Sequence, residues 1–269
     1  MTATAKMDAR SFVRAARLPA SPPPPTGRKR GARVLTTPAE ALEAGKQQAA
    51  VVGSDIVAFV SGVTTEHREA IVNSALLAQL VATQNVSDRT RIYDWYTQYF
   101  GVLENIGWTT QQASFAEYTE KAEGLEAHQA ILQVATALLG PAASALALVT
   151  TTINALKSMD KDSPWITIFS RETQHAKTAH FQVTLVDQDP NGQFAVSLMA
   201  FGLEAQSKVT QVLFFKVRKS QATLKHYAGK VTINDKVLDQ IRGDLENKLV
   251  MHTKSYIATL PALTQVVSR

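Results

Sequence analysis

The chain contains no cysteine. Disulfide frameworks, thiol nucleophiles, cysteine-based zinc sites and cysteine acylation are therefore excluded. Charge is scarce too: Asp, Glu, Lys and Arg make up 19% of the residues, below the ~25% usual for soluble domains. No P-loop, G-x-S-x-G or H-E-x-x-H motif occurs, which removes the common phosphate-binding, serine-hydrolase and zinc-protease signatures. No apolar stretch follows the first charges, so no secretory signal peptide is expected. What is present is 269 residues, 45% of them hydrophobic, enough for a packed core in one large domain or two small ones.

The basic balance belongs to one end. Of 28 basic and 23 acidic side chains, residues 1–38 hold Lys6, Arg10, Arg14, Arg17, Arg28, Lys29, Arg30 and Arg33 against Asp8 alone. The remaining 20 basic and 22 acidic groups leave a body near neutrality, so no nucleic-acid partner is expected for it. Residues 1–37 read as a disordered, basic, Pro-rich leader. Lys6, Arg10 and Arg14 recur every four residues, which a helix would place on one face. Pro22 to Pro25 impose polyproline II geometry. As an address, Arg10, Arg14, Arg17, Arg28, Lys29 and Arg30 suit an anionic membrane surface or a delivery or secretion machine. In a eukaryote they would suit a mitochondrial transit peptide. The plain alternative is a solvated extension.

Residues 38–269 read as a single α+β domain, with a helical part over 38–160 and a sheet plus closing helix over 161–269. The spacing predicts helices over Pro38–Val51, from Thr65 with Ile71, Val72, Ala75, Leu76 and Leu80 inward, and after Asp88 with Ile92, Trp95, Tyr96, Tyr99, Phe100, Leu103 and Ile106 inward. Ser54–Val63 fits strand or loop. From Phe181 the period becomes two, predicting an antiparallel four-stranded meander: a strand from Phe181, then Phe194–Phe201, Val209–Lys219 and Thr223–Ile233. Asn234 caps a long closing helix whose Leu238, Ile241, Leu245 and Leu249 are expected to face that sheet.

The run Asn73-Ser74-Ala75-Leu76-Leu77-Ala78-Gln79-Leu80, followed by Trp95-Tyr96, Tyr99, Val102-Leu103 and Gly107-Trp108, resembles a group of uncharacterised microbial proteins over roughly residues 53–260. The later Phe214-Phe215-Lys216 segment and the closing helix fit the same resemblance. It implies no activity, cofactor or site residue.

From Gln129 to Leu156 there is no ionisable side chain. A continuous helix would reach about 42 Å at ~1.5 Å per residue, but Gly140-Pro141 divides it into arms of 11 and 15 residues. Neither arm reaches the ~17–25 residues of a membrane pass. Ile131, Val134 and Leu138 repeat at helical spacing in the first arm, and Leu146, Val149, Ile153 and Leu156 in the second. Neutral Gln, Thr, Ser and Asn occupy the other faces. Such a hairpin satisfies its own backbone, as any lipid-embedded element must, and so reads as conditionally membrane-inserting. The competing reading is a buried helical pair, which the short arms favour.

Other chemistry is thin. Asp187-Gln188-Asp189-Pro190-Asn191-Gly192 opens like a calcium loop, but Leu198 stands where the bidentate acid belongs; it reads as a hairpin turn. Ser158-Met159-Asp160-Lys161 lacks the partners of a penicillin-recognising hydrolase. The histidines, His175 and His180 the nearest pair, suggest no metal set, and no cofactor is expected. Lys216, Arg218, Lys219, Lys225 and Lys230, with His226, cluster on the third and fourth expected strands. They read as a charged sheet edge or as a patch for anionic lipid or phosphate. The functional reading is a non-enzymatic, effector- or toxin-like microbial protein acting at a membrane or partner surface, with oligomers expected on a membrane. Its alternatives are a cargo or scaffold protein addressed by its leader, and an enzyme whose site sequence spacing does not reveal. Soluble delivery by a non-classical route, or a cytoplasmic location, follows from the same reading.

Overall fold

The computed structural model of the chain describes residues 8–25, 42–43, 45–110, 114–118, 125–140, 144–160, 162–188, 194–214, 216–217 and 221–259. Its first half contains α1 (Ala9–Ala15), β1 (Gln48–Val52), β2 (Asp55–Phe59), α2 (Thr65–Asn85), α3 (Ile92–Asn105), β3 (Trp108–Thr109), β4 (Ala116–Glu117), β5 (Leu125–Glu126) and α4 (Ala127–Leu139). There follow α5 (Ser144–Ser158), α6 (Pro164–Thr173), β6 (Gln174–His175), β7 (Thr178–Gln188), β8 (Phe194–Ala205), β9 (Lys216–Val217), β10 (Ala222–Ile233), α7 (Asp235–Leu249), α8 (Thr253–Tyr256) and β11 (Ile257–Thr259).

The class is α+β, built around a mixed sheet in the order β11-β1-β2-β7-β8-β10. Short β3 and β4 lie beside β10, and β6 beside β7; β5 and β9 pair separately. Every pairing is antiparallel except β2 with β7. Along β7, His180, Gln182 and Thr184 point to one face and Phe181, Val183 and Leu185 to the other. The first face meets α2 and α3; Tyr96 of α3 bonds there with Gln182. The second meets α5 and α6, where Phe169 packs its ring 6.4 Å from that of Phe181.

Coverage on both faces explains where periodicity misleads. All of β1 and β2 is buried, so Gln48–Val51 lacks a polar alternation and mimics a helix. The expected helix over Pro38–Val51 is corrected there to a strand paired with both β2 and β11; residues 38–41 lie outside the described residues. Gly53, at φ +57, turns β1 into β2, and a Cβ in its place would lie 2.3 Å from Gln79 Oε1.

The meander is also revised. β10 pairs directly with β8, and Val209–Lys219 is not the strand between them. Val209, Val212 and Leu213 are buried at i, i+3, i+4 spacing, and Val212–Phe214 is a 3-10 turn leading into β9. The Asp189–Gly192 turn lies outside the described residues.

The helices from Thr65 and after Asp88 stand as α2 and α3. Ala70–Ala82 of α2 is buried without interruption, beyond the expected stripe, because a helix enclosed on all sides is apolar all round. α7 is capped by Asn234, whose Oδ1 accepts from Val237 N at 3.3 Å. Its buried Leu238, Ile241, Leu245 and Leu249 do not face the sheet as expected: α7 packs on α2 and α1. That sheet face is already covered, so the closing helix forms an outer layer.

Part of the expected leader belongs to the fold. Val13 of α1 is buried, and Arg10 and Arg14 each pair with Asp244 of α7 at 2.8 Å. Residues 1–7 and 26–37 lie outside the described residues.

A buried carboxyl sits between the sheet and its helical cover. Asp55 Oδ2 accepts from Thr184 Oγ1 at 2.7 Å, and burial pushes its pKa from 3.8 to about 7 despite that bond. The folded value lies above the unfolded one, so this group's contribution to stability is complete below the unfolded value and is lost as pH rises through about 7. The full shift corresponds to at most about 4 kcal/mol. Urea unfolding of the wild type from about pH 4 to pH 8 should record that decline, and Asp55→Asn should flatten it; parallel profiles for the two proteins would contradict the assignment.

Candidate functional site

The charge-free segment folds as two helices. α4 packs toward β8 and β10, and α5 toward β2 and β7, so the pair covers the face that carries Phe181, Val183 and Leu185. A capping box starts α4: Gln129 Oε1 accepts from Glu126 N at 2.9 Å, and the Glu126 carboxylate accepts from the Gln129 backbone. Gly140 ends it at φ +89, its N–H donating to Thr136 O.

Of the residues expected to form the hairpin's apolar stripe, Ile131, Val134, Val149, Ile153 and Leu156 are buried. Leu138, Gly140 and Leu146 are half-buried, and Pro141 lies outside the described residues. The outer surface is formed by Gln129, Gln133, Ala137, Ser144, Ala147, Thr151 and Asn154, all exposed and all uncharged. The pair is therefore a lid with one apolar and one neutral face, neither an enclosed core nor an open apolar patch.

Its threonine hydroxyls are satisfied from within. Thr136 Oγ1 donates to Leu132 O at 2.7 Å, Thr150 to Leu146 O at 2.8 Å, Thr151 to Ala147 O at 2.9 Å and Thr152 to Leu148 O at 2.8 Å. These are i−4 back-bonds, and they account for every threonine hydroxyl in the segment. Among the described residues, no hydrogen bond or ion pair joins residues 130–156 to the sheet or to another helix. The polar attachment lies at the base of α4, where His128 Nδ1 is 3.2 Å from Leu213 O and 3.1 Å from Glu126 Oε2. At the far end of α5 a cleft of about 260 Å³ separates Leu156 and Met159 from Ile166, Phe169, Val212 and Leu213.

The opposite face is bound differently. Gln79 of α2 donates to Val52 O at 2.9 Å and accepts from Ser54 N at 2.8 Å. Tyr96 Oη accepts from Gln182 Nε2 at 3.0 Å and lies 2.9 Å from the carbonyls of both Phe181 and Phe201. Buried Arg68 donates to the carbonyls of Val63, Val60 and Lys46 and to Gln48 Oε1, and burial pushes its pKa down to about 10. Even α6, on the same side as the pair, is tied down: Arg171 donates to Ser255 O at 2.6 Å and Trp165 to Thr259 O.

The other expected site residues are dispersed. Lys225 Nζ lies 5.0 Å over the Tyr93 ring on the α3 side of β10, while exposed Lys230, five residues on, points to the opposite face. Lys216 lies in the separate β5–β9 ladder, and Arg218 and Lys219 fall outside the described residues; Lys225 and Lys230 do not share one face of β10. Arg10 and Arg14 are docked on α7, Arg17 is exposed, and Arg28, Lys29 and Arg30 lie outside the described residues. His180 packs on Trp95 at 4.1 Å and on His175 at 5.6 Å. Burial, aided by the Arg89 cation, lowers the pKa of His175 to about 4, and burial, with His175 and Arg89 nearby, lowers that of His180 well below its ordinary value. Among the described residues no three His, Asp or Glu side chains converge as metal ligands.

No protein-family model matches the chain, and no curated protein matches it. Several solved structures align with it in part, among them three toxin or virulence-factor chains. A delta-endotoxin does so at 13% identity and TM-score 0.38, over 68% of this chain and 84% of that one. The Evf virulence factor aligns at 10% identity and TM-score 0.41, over 79% and 87%. The activated Cyt2Ba monomer from Bacillus thuringiensis subsp. israelensis aligns at 13% and 0.31, over 51% and 78%.

Since apolar contact alone holds the pair along its length, truncating its inner stripe is the direct probe. Ile153→Ala should cost about 2–5 kcal/mol in denaturant unfolding. The neighbouring outward Asn154→Ala should stay within about 0.5 kcal/mol of wild type. Equal losses would show that the two sides of α5 are not distinguished by packing.

Proposed function

We propose that the chain is a non-enzymatic, effector- or toxin-like protein that acts at a membrane, and that α4–α5 is the element that enters it. One observation carries this reading: residues 130–156 of the pair hold no charge and, among the described residues, make no hydrogen bond to the layers around them. Leaving the sheet therefore breaks no polar contact along 130–156, only apolar ones. In water that release exposes Ile131, Val134, Val149, Ile153 and Leu156, at roughly 1.5–3 kcal/mol each, which keeps the pair closed. In hydrocarbon the same side chains stay out of water, and the threonine hydroxyls carry their own acceptors with them.

The helices set the depth. At ~1.5 Å per residue, α4 and α5 with 13 and 15 residues fall short of a ~30 Å hydrocarbon core. No helix among the described residues is long and apolar enough to cross a membrane. Entry is therefore shallow, as a hairpin lying in the outer part of the bilayer. The sheet face left behind, with Phe181 and Phe201, also needs a cover, which the bilayer interface or a second copy of the chain supplies.

Lysines on the outward face separate this function from the fold. Ala137→Lys and Thr151→Lys sit at exposed positions and leave the closed form intact, but each adds a charge whose burial in hydrocarbon costs up to ~2.5–3.5 kcal/mol at the bilayer centre and less at shallow depth. Added cations favour attraction to anionic vesicles, so weaker surface binding cannot explain a loss. The double variant should keep its melting temperature and its binding to phosphatidylglycerol-containing vesicles while dye leakage falls at least about tenfold. Leakage at the wild-type rate, or no leakage by the wild type, would overturn the reading.

A further inference from the structure

Among the described residues only two large apolar side chains stand exposed, and they are consecutive: Val250 at 61% and Met251 at 77%. They form the turn between α7 and α8. The N-terminal segment runs alongside this turn. Lys248 Nζ donates to Arg14 O at 2.8 Å, His252 Nε2 lies 3.0 Å from Pro19 O, and Ser255 Oγ donates to Pro22 O at 2.6 Å. Residues 14–22 are thus laid along 248–255, with Arg17 between the first two contacts. These two stretches contain Arg14, Arg17, Lys248 and Lys254 and no carboxylate. Arg17 and Lys254 are exposed, and among the described residues neither forms an ion pair.

We propose that this tip, Val250 and Met251 with Arg17, Lys248 and Lys254 on the segments that flank them, is a docking site for an anionic lipid surface. Two protruding side chains are far from the roughly 800 Å² that a stable protein partner covers on each side. A bilayer needs no such area: an apolar wedge combined with several cations supplies the two weak signals that together hold a protein at a membrane. The tip borrows only the choice of partner from the function proposed above. It lies on α7, which packs on α2, and α2 covers the face opposite α4–α5, so docking here requires no release of the pair.

The experiment is co-flotation of the full chain with phosphatidylcholine vesicles, with and without phosphatidylglycerol, at low and high salt. Binding should require the anionic lipid and weaken with salt. V250D/M251D and, separately, R17E/K254E should each bind anionic vesicles at least about tenfold more weakly at unchanged melting temperature, and the added emission of Met251→Trp should shift to the blue on binding. A137K/T151K should float with the vesicles as the wild type does. Wild-type binding with both tip variants undiminished, or lost only in A137K/T151K, would overturn the tip assignment. A wild type that floats with neither vesicle would overturn it too and leave the tip to a protein partner.

Discussion

Along 130–156 one layer of this protein is held, among the described residues, by apolar contact alone, and the rest of the architecture can be understood from that constraint. α4 and α5 cover a sheet face without contributing a charge, an ion pair or a hydrogen bond to it along 130–156. Hydrophobic attachment has no direction and depends only on what replaces the contact. A layer so attached is stable in water and exchangeable where water is absent. Polar wiring would forbid this, because each broken buried hydrogen bond leaves a desolvated group without a partner.

The other layers are wired in that way. Gln79 and Arg68 fasten α2 to the β1–β2 hairpin and its flanks, and Tyr96 fastens α3 to β7 and β8, through buried carbonyl and amide groups. The outer layer of α7 and α1 is joined through Asp244, whose pKa is lowered because Arg10 and Arg14 both donate to its carboxylate. The molecule is therefore asymmetric about its sheet: one side is fixed, and on the other α4–α5 rests in place beside a fixed α6. His128 and Glu126 at the foot of α4 mark where the resting layer is tethered.

Much of this was legible in sequence wherever one face of an element meets water. α3, α7 and the two arms of the pair announce themselves by helical spacing, because each has a solvated side for contrast. β1 did not, since both its faces are covered and burial erased its alternation. Val209–Lys219 misled for a related reason: alternate apolar residues from Leu213 to Val217 imitate a strand, whereas Val209, Val212 and Leu213 carry the helical-turn spacing that prevails. The absence of charge over 129–156 needs only the composition. The inward turn of the threonine hydroxyls onto the i−4 carbonyls does not show in the sequence, because rotamer choice leaves no mark on residue order. The pairing of Arg10 and Arg14 with a residue more than two hundred positions away was equally invisible, so charge read as an address proved in part to be a docking contact.

The central claim is that α4–α5 opens as a unit more easily than the body it covers. Native-state hydrogen exchange of the full chain across sub-denaturing urea measures this directly, by giving an opening free energy for each set of amides. The amides of residues 130–139 and 145–158 should exchange together, at a free energy well below that of α2, β7 and β8. If they exchange only with global unfolding, at the same free energy as those core elements, the pair is an integral part of the core and the account fails.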